Sequence, residues 1–502
     1  MTMNIEQKDK WWIDPWQLPT DRKETCSTLI VGAGAGGAFA AWTLAKGGRE
    51  VVVVDRGYHI NQSNMPRNLG EAVANLYTES GFRASLGTPP CPIAGGMGLG
   101  GSTLINSAIC FATPQSSLEH WNQLTKGCFK NHDAFYKTQK EVERVMHVSR
   151  TPDYLLSGND RAHRDAAVNL GWKEGNIRRN TPRCSGCGRC NAVCSIGGKN
   201  SVDQEILPKV VKLGGRIYTG SRVKYIKNTT NKNIVYIDIV APDGTPSGSM
   251  EITCDTLIMC AGSIATPELL LQSEVAPNNK AIGVGLHIHP VINTWAILQQ
   301  PIYQRGSTQG HYIDEFAEEN ILLEANPIIA GAFFQAFPWI GMDMKTFFER
   351  GAHMASSGGL LRDTSEGIVS LPQKGTSQIS YELNERDTKK LLRALEVGAE
   401  LWLEGVQAEG VSLSIFGSPM CKNMDEVRYY TNFQNTKAER LIPYSSHPQA
   451  SCRIGRALDN RGRLRGTTNI YVMDASALPS NVGRNPQISV MTVATILAQR
   501  MF

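Results

Sequence analysis

Residues 29–37 read LIVGAGAGG, and this stretch decides how the fold is interpreted. The apolar residues at its start predict a buried strand, and its glycines follow the pattern G-x-G-x-x-G. A second apolar run, residues 51–54, reads VVVV and is followed by Asp55, roughly 20 residues after the glycines. A strand, a glycine turn, a helix, a second strand and an acid together predict a dinucleotide-binding βαβ unit.

The turn residues each have a physical reason. Gly32 permits the tight turn, Gly34 lets a pyrophosphate approach the backbone, and Gly37 lets the helix pack closely on the strand. The N-terminus of that helix offers free N–H groups and a positive dipole end to the phosphates. Asp55 can accept hydrogen bonds from both hydroxyls of the adenosine ribose. A purely structural glycine turn is the alternative, and the strand and the acid at their expected places argue against it.

The composition is that of a globular protein without a nucleic-acid partner. The 502 residues exceed what one simple core holds, so two domains or one elaborated domain are expected. The formal charge of +5 comes with no run of Lys and Arg. No apolar run is long enough to span a bilayer, and residues 1–25 lack the apolar core of a signal peptide. A cytoplasmic location is therefore expected, with an aromatic N-terminal strap (Trp11, Trp12 and Trp16) packing on the body.

Four of the 12 cysteines form a cluster. Cys184, Cys187, Cys190 and Cys194 follow C-x2-C-x2-C-x3-C, the spacing of a ferredoxin iron–sulfur run. All four lie in one short loop, whereas structural zinc usually takes its ligands as two separated pairs. In two-cluster ferredoxins the fourth cysteine of such a run serves the other cluster, so this loop predicts either a [4Fe–4S] or a [3Fe–4S] cluster. Zinc, and thiols or disulfides, are the alternatives.

The C-terminal part adds His447-Pro448 and Asn485-Pro486. Together with the N-terminal unit, these residues resemble the glucose–methanol–choline (GMC) oxidoreductases over nearly the whole chain. The stretches that match, in order, are residues 32–55, 98–106 with Trp121 after them, 261–270, 284–290, and 447–455 with 474–476 and 485–486 after them. Two stretches depart from the usual pattern. Residues 287–290 read HIHP, where an acid often precedes His-Pro, and residues 449–451 read QAS, where Gly-Thr or Gly-Ser is commoner.

The resemblance implies FAD as the cofactor. The loop 98–106 would lie along the isoalloxazine and the pyrophosphate, and Val223 would sit near the adenine. Asp474 and Ala475 would touch the ribityl or phosphate part, and Pro486 and its neighbours would supply backbone near the pyrimidine end of the flavin. The positions implied to bind FAD are Gly32, Gly34, Gly37, Asp55, Arg56, Gly98, Gly100, Gly101, Ser102, Asn106, Val223, Ala261, Asp474, Ala475 and Pro486.

The resemblance also implies oxidation of an alcohol, with His447 and Asn485 facing the substrate. Such a reaction removes a hydroxyl proton and a hydride from the same carbon, and the hydride goes to N5 of the flavin. The unperturbed pKa of histidine is about 6.5, so neutral His447 can take the proton. Asn485 can hydrogen-bond the substrate oxygen and hold it beside His447. The expected substrate is a sugar, a polyol or another small alcohol.

The cysteine cluster bears on where the electrons go. A subset of the same family carries an iron–sulfur cluster in this region, which implies a dehydrogenase that uses a cytochrome or another acceptor protein. In such relatives a small partner subunit carries the export signal, so this chain could also be exported with a partner. The alternatives are a single-chain alcohol oxidase that uses O2 and has structural cysteines, and a non-redox lyase on the same scaffold.

The expected fold is mixed α/β. A discontinuous Rossmann-like FAD-binding domain would carry an inserted substrate-binding domain built on an antiparallel sheet. Strands are expected at residues 247–254 and 256–260, and a helix after Pro267. The expected segments are a strap (1–24), the FAD-binding domain in three parts (25–115, 201–290 and 445–502), a helical connection or substrate lobe (116–182), a cysteine-rich loop (183–200) and the substrate-binding domain (291–444).

Overall fold

The computed structural model describes residues 11–61, 63–326, 337–373 and 376–502. The α-helices are α1 (Ala35–Lys46), α2 (Leu69–Leu76), α3 (Gln115–Thr125), α4 (His132–Val145), α5 (Gly158–Leu170), α6 (Val202–Glu205), α7 (Leu207–Lys212), α8 (Gly262–Gln272), α9 (Gly341–Glu349), α10 (Glu385–Leu403), α11 (Met424–Thr431) and α12 (Gln487–Gln499). The β-strands are β1 (Arg22–Val31), β2 (Val51–Val54), β3 (Ser149–Arg150), β4 (Glu174–Asn176), β5 (Arg178–Arg179), β6 (Arg216–Tyr218), β7 (Ser221–Asn228), β8 (Asn233–Val240), β9 (Pro246–Met259), β10 (Val284–Leu286), β11 (Val291–Ile297), β12 (His311–Ile313), β13 (Ile321–Ala325), β14 (Met354–Leu361), β15 (Gly367–Gln373), β16 (Thr376–Ser380), β17 (Gly410–Leu413) and β18 (Ile470–Val472).

A seven-stranded sheet carries the βαβ unit. Its strands run in the order β6-β2-β1-β9-β8-β7, with β18 beside the second half of β9. Strand β1 pairs in parallel with β2 and with β9, and β18 is parallel to β9. Strands β7 and β8 form an antiparallel hairpin that continues onto β9. The parallel part confirms the Rossmann-like fold that the glycine turn predicts.

The single strand β9 replaces the two strands expected at 247–254 and 256–260. One edge of β9 pairs with β1 from Met250 to Met259. The other edge pairs with β8 up to Cys254 and then with β18 from Leu257. Because both edges are paired almost throughout, Asp255 does not end the strand. The expectation of a break there was wrong, since pairing between distant segments outweighs one polar residue.

Helix α8 begins at Gly262, before Pro267, so the expectation of a helix starting after Pro267 was also wrong. A proline inside a helix removes the N–H that would bond the carbonyl four residues earlier. That carbonyl belongs to Ser263, and it accepts a hydrogen bond of 2.5 Å from the Ser451 hydroxyl instead. The hydroxyl of a distant loop therefore replaces the missing donor, and the helix continues through the proline.

A six-stranded sheet forms the second layer of the molecule. Its order is β17-β11-β14-β13-β12-β4, and its pairings are antiparallel. Most of its strands come from residues 291–444, which confirms an antiparallel sheet in that segment. Strand β4 and helix α5 come from the segment 116–182 and share this sheet and its core. The domain boundaries themselves stay a prediction.

Helix α10 covers the six-stranded sheet. Its buried face includes Leu391, Leu395 and Trp402, and charged residues such as Lys389 lie on its other face. Such an amphipathic pattern is typical of a helix at the surface of a domain. Within the described ranges, no helix is both long and apolar enough to cross a bilayer.

The described part of the N-terminal strap lies against the seven-stranded sheet. The rings of Trp12 and His59 are stacked, with centroids 4.1 Å apart, and Trp16 contacts Tyr58 edge-on. Strand β1 already begins at Arg22, inside the segment expected to be the strap. The end of the strap is therefore part of the sheet.

Candidate active site

A cavity of about 740 Å³ opens at the carboxyl ends of the parallel strands. The residues that follow β1, β2, β9 and β18 lie on its wall, among them Gly32, Asp55, Ala261 and Asp474. In open α/β sheets, ligands bind in the crevice outside the carboxyl ends of the strands. The size of the cavity is also typical of a small-molecule site.

The three glycines of the first turn differ in what surrounds them. A Cβ on Gly32, which has a φ of +102°, would lie 2.3 Å from the carbonyl oxygen of Cys260. A Cβ on Gly37 would lie 1.9 Å from the carbonyl oxygen of Gly32. A Cβ on Gly34 would have no atom within 4 Å, and Gly34 lines the cavity. Two of the glycines therefore permit close packing of the protein on itself, and Gly34 leaves room for a ligand at the N-terminus of α1.

The second glycine-rich loop packs against the first at the wall of the cavity. A Cβ on Gly101 would lie 3.2 Å from the Cα of Gly34, so the two loops are in direct contact at these glycines. Gly100 packs instead towards Asp203, and neither Gly100 nor Gly37 lines the cavity. The other residues predicted to bind FAD do line it: Gly32, Gly34, Asp55, Arg56, Gly98, Gly101, Ser102, Asn106, Val223, Ala261, Asp474, Ala475 and Pro486.

Asp55 is buried at the end of β2. Its two oxygens accept hydrogen bonds from the backbone N–H of Ala33 at 2.6 Å and of Gly57 at 2.7 Å. Burial raises the pKa of this carboxyl, against the lowering effect of the two backbone donors. A carboxylate has about four lone-pair sites, so two stay available for the ribose hydroxyls that the sequence assigns to Asp55.

The carboxylate of Asp474 is occupied by the protein itself. One oxygen accepts from the backbone N–H of Gly262 at 2.8 Å and from the hydroxyl of Thr266 at 2.6 Å. The other accepts from the N–H and the hydroxyl of Ser476, at 2.8 and 2.5 Å. These bonds use all of its acceptor sites and tie the start of α8 to the end of β18. Any contact of Asp474 with a ligand would therefore go through its backbone.

His447 lies on the cavity wall with a second histidine behind it. Its Nδ1 is 3.0 Å from Nδ1 of His289, which is fully buried. Burial lowers the pKa of His447 to about 4. Burial, and then the neighbouring His447, hold the pKa of His289 well below its ordinary value. Both rings are therefore neutral at physiological pH. His289 has a φ of +53°, a backbone conformation that is costly for a residue other than glycine and typical of functional sites.

The unusual Gln449 explains how His447 is held. Its side-chain nitrogen donates to the carbonyl of His447 at 3.1 Å, and its side-chain oxygen accepts from the N–H of Val482 at 3.1 Å. Its backbone exchanges two hydrogen bonds with His287, of 2.8 and 2.9 Å. The departure from Gly-Thr or Gly-Ser therefore adds a side chain that links His447 to the segment before Asn485.

Asn485 shares the cavity with a buried carboxylate that the sequence does not single out. Nδ2 of Asn485 is 3.5 Å from Oε2 of Glu324, on β13. Gln309 donates to the same oxygen at 3.3 Å. Burial raises the pKa of Glu324 to about 7. Among the described residues, neither Oδ1 of Asn485 nor Oε1 of Glu324 has a hydrogen-bond partner, so two residues of the cavity wall carry a buried, unpartnered acceptor.

The four clustered cysteines are not arranged around a common centre. Cys187 is exposed, Cys190 is buried, and Cys184 and Cys194 are half-buried. In the part of the chain that the structure describes, no three His, Cys, Asp or Glu side chains are grouped as metal ligands. As placed, the loop therefore does not form the ligand set of an iron–sulfur cluster.

The surroundings of this loop nevertheless favour negatively charged sulfur. The Arg179 guanidinium, nearly fully buried, donates to the sulfur of Cys190 at 3.0 Å. The Lys199 ammonium, also buried, donates to the carbonyl of Cys190 at 3.0 Å. Burial raises the pKa of the Cys190 thiol, but the charges of Arg179 and Lys199 and the hydrogen bonds from Thr308 and Arg179 together lower it below its ordinary value. The backbone N–H groups of Gly186 and Gly198 donate to the sulfurs of Cys184 and Cys194, at 3.4 and 3.2 Å.

The chain belongs to the GMC oxidoreductase family. Two models of that family match residues 73–291 and 363–494, and a model of the NAD(P)-binding Rossmann-like domain matches residues 30–62. Together with the cavity at the carboxyl ends of the strands, these matches define a GMC-type flavoenzyme oxidoreductase.

The similar proteins include alcohol oxidases. A long-chain-alcohol oxidase of Arabidopsis thaliana is 28% identical over 95% of this chain and 68% of its own length. Uncharacterized GMC-type oxidoreductases of Mycobacterium tuberculosis and Sinorhizobium fredii are 28% and 29% identical, over 94% and 96% of this chain and 75% and 96% of their own lengths.

Among solved structures, pyridoxine 4-oxidase from Mesorbium loti has a TM-score of 0.69 and 19% identity, and the match covers 95% of this chain and 99% of the other. Formate oxidase of Aspergillus oryzae has a TM-score of 0.72 and 15% identity, with coverage of 96% and 99%. These structures share the fold.

The glycine cradle leads to a first prediction. Gly34→Val should fold but lose bound FAD, because the new side chain projects into the cavity. Gly351→Val is the matched control, since a Cβ there would also have no atom within 4 Å and Gly351 does not line the cavity. It should keep its flavin. Flavin content measures the loss, and urea unfolding checks that both variants fold. A Gly34→Val protein that keeps its flavin would contradict the placement of the ligand.

Proposed function

We propose that this chain binds FAD in the 740 Å³ cavity and oxidises the CH–OH group of a small alcohol to a carbonyl. FAD, when bound, accepts the hydride at N5, and the protein accepts the hydroxyl proton. Membership of the GMC family supports the cofactor, and the printed name of the Arabidopsis relative supports an alcohol as substrate. The single observation that carries the proposal is that His447 and Asn485 line the same cavity as Gly32 and Gly34 of the first glycine turn.

The histidine pair suits a base. Two Nδ1 atoms 3.0 Å apart can share one proton, so one ring donates and the other accepts. When His447 donates from Nδ1, its Nε2 is left as the acceptor for the hydroxyl proton of the substrate. In this tautomer Nδ1 of His289 accepts the hydrogen bond, and the contact orients the ring of His447. Asn485 holds the substrate oxygen near His447 through its amide group.

Replacing the base tests the proposal. His447→Ala should keep FAD bound but slow flavin reduction by about 10²–10⁴-fold, which is the usual contribution of a positioned base. Anaerobic stopped-flow absorption, with the best of a panel of small alcohols, measures the rate. His353→Ala, a half-buried histidine outside the cavity, is the control and should react like the wild type. Equal rates in His447→Ala and the wild type would refute the role of His447.

The lowered pKa of His447 gives a second test. The base works only when neutral, so the rate of flavin reduction should stay flat as the pH falls to about 5 and decline as the pH approaches 4. The profile is best measured in Glu324→Gln, because the pKa of Glu324 is about 7 and its titration would overlap. A decline centred near the unperturbed histidine pKa of about 6.5 would show that burial does not control this base.

The buried positive charges beside the cysteine loop favour a dehydrogenase over an oxidase. Within the described ranges, neither Arg179 nor Lys199 forms an ion pair with a carboxylate, and a buried cation without an anion is unfavourable. Thiolates of an iron–sulfur cluster on Cys184, Cys187, Cys190 and Cys194 would supply that anion, after their side chains rearrange. An acceptor protein such as a cytochrome, or a small partner subunit, would then take part. The names of the relatives instead favour an oxidase that uses O2.

Iron analysis separates these versions. Protein purified without oxygen should contain iron and acid-labile sulfide. Its spectrum should show broad absorption beneath the flavin bands, and dithionite should bleach this broad absorption. Cys184→Ser should lose most of this iron and keep its FAD. Cys254→Ser, which removes a buried thiol in β9, should keep both. An iron-free wild-type protein would favour the oxidase, and its reduced flavin should then react rapidly with O2.

A further inference from the structure

The cavity contains a buried carboxylate that the proposed oxidation does not use. Glu324 is only 2% exposed, yet it lines the same cavity as His447 and Asn485. Its Oε2 receives two long hydrogen bonds, of 3.3 Å from Gln309 and 3.5 Å from Asn485. Its Oε1 has no partner among the described residues. A buried acceptor without a donor costs free energy, which a ligand that brings a donor would recover.

The position of Glu324 places it at the substrate end of the cavity rather than the cofactor end. It lies on β13 of the six-stranded sheet, whereas the predicted FAD-binding residues lie mainly on the loops of the seven-stranded sheet. On the same side of the cavity as Glu324, the wall is formed by Val291, Gln309, Asn326, Leu360 and Tyr444. The amide of Asn326 donates to the Tyr444 hydroxyl at 2.9 Å, and Gln309 donates to Asn326 at 2.9 Å. This end of the cavity therefore combines a hydrogen-bonded polar row, Gln309, Asn326 and Tyr444, with the apolar side chains of Val291 and Leu360.

Among the described residues, no charged group donates a hydrogen bond to Oε1 of Glu324. Arg484 is the cation that acts on Glu324, and Arg484 itself forms an ion pair with Asp314. No cation in the described ranges forms an ion pair with Glu324. Its Oε1 is thus suited to a donor on a bound molecule.

We propose that Glu324 selects the substrate: it binds a second O–H or N–H donor on an alcohol whose CH–OH group lies at His447 and Asn485. The inference rests on the proposed function and narrows it to bifunctional alcohols, that is, polyols or amino alcohols. A purely aliphatic alcohol would leave Oε1 buried and unpartnered. Sites built to hydrogen-bond a substrate group reject analogues that lack it more strongly than apolar pockets reject a missing methylene. The specificity thus differs from what the name of the long-chain-alcohol oxidase states for that relative.

A panel of four-carbon alcohols tests this selection. The probes are 1-butanol, the 1,2-, 1,3- and 1,4-butanediols, and 4-amino-1-butanol, each mixed anaerobically with the FAD-loaded protein. The measured quantity is the second-order rate constant of flavin reduction, with the substrate Kd and the limiting rate resolved. The best bifunctional alcohol should exceed 1-butanol by about tenfold or more, chiefly through a lower Kd.

Two variants identify the contact. Glu324→Leu also removes the acceptor of Asn485, so its readout is the ratio of the rate constants for the best bifunctional alcohol and for 1-butanol, which should fall to about one. Glu324→Gln keeps an acceptor oxygen without the charge. It should retain the preference if the second donor is a hydroxyl and lose it if the donor is an ammonium. Glu143→Gln, a buried carboxylate outside the cavity that pairs with Arg178, is the control and should keep the wild-type preference.

The outcomes are distinct. A wild-type protein that reacts equally fast with 1-butanol and with every bifunctional alcohol overturns the selection by Glu324 and leaves the proposed oxidation standing. A preference that survives in a correctly folded Glu324→Leu protein also overturns the selection by Glu324 and leaves the proposed oxidation standing. A flavin that no alcohol of the panel reduces overturns the proposed oxidation, and the inference falls with it.

Discussion

The carboxylate of Asp474 is the constraint on which the site depends. It accepts four hydrogen bonds, from Gly262, Thr266 and Ser476, which join the start of α8 to the segment after β18. Burial of a carboxylate is unfavourable unless donors replace its water, and here every acceptor site is satisfied. The middle and the end of the chain are thereby fixed on the same edge of the sheet as the glycine turn.

A second buried carboxylate, Asp363, has the same role on the substrate side. It accepts from His287 at 3.2 Å, from the backbone N–H of Ile288 at 3.0 Å, from Tyr381 at 2.7 Å and from Asn481 at 2.5 Å. Of its partners, His287 and Ile288 directly precede His289, and Asn481 lies four positions before Asn485. The carboxylates of Asp474 and Asp363 thus hold His289, His447 and Asn485 in a poorly solvated end of the cavity. Burial there keeps both histidine rings neutral.

The sequence predicts those parts of the fold and site that depend on residues close to one another in the chain. The glycines of the first turn are required by backbone geometry, so their positions alone place the first strands and the cradle. The proposed functions of His289 and Glu324 depend on contacts with residues 158 and 161 positions away. The family pattern includes His289 in its His-Pro pair without giving it a function, and no local pattern marks Glu324. Gln449 was visible as a departure from the family pattern, but its link to Val482 required the structure. The cysteine spacing predicts a cluster, and the described side chains do not form its ligand set.

The central claim is that hydride leaves a carbinol carbon for FAD bound in this cavity, with His447 as the base. The most direct measurement is anaerobic flavin bleaching by an alcohol that carries deuterium at the carbinol carbon, compared with the same alcohol unlabelled. The account predicts that both bleach the flavin and that the deuterated alcohol does so several-fold more slowly, because the C–H bond breaks in that step. Purified protein that contains no flavin, or a bound flavin that stays oxidised with every alcohol, would contradict the account.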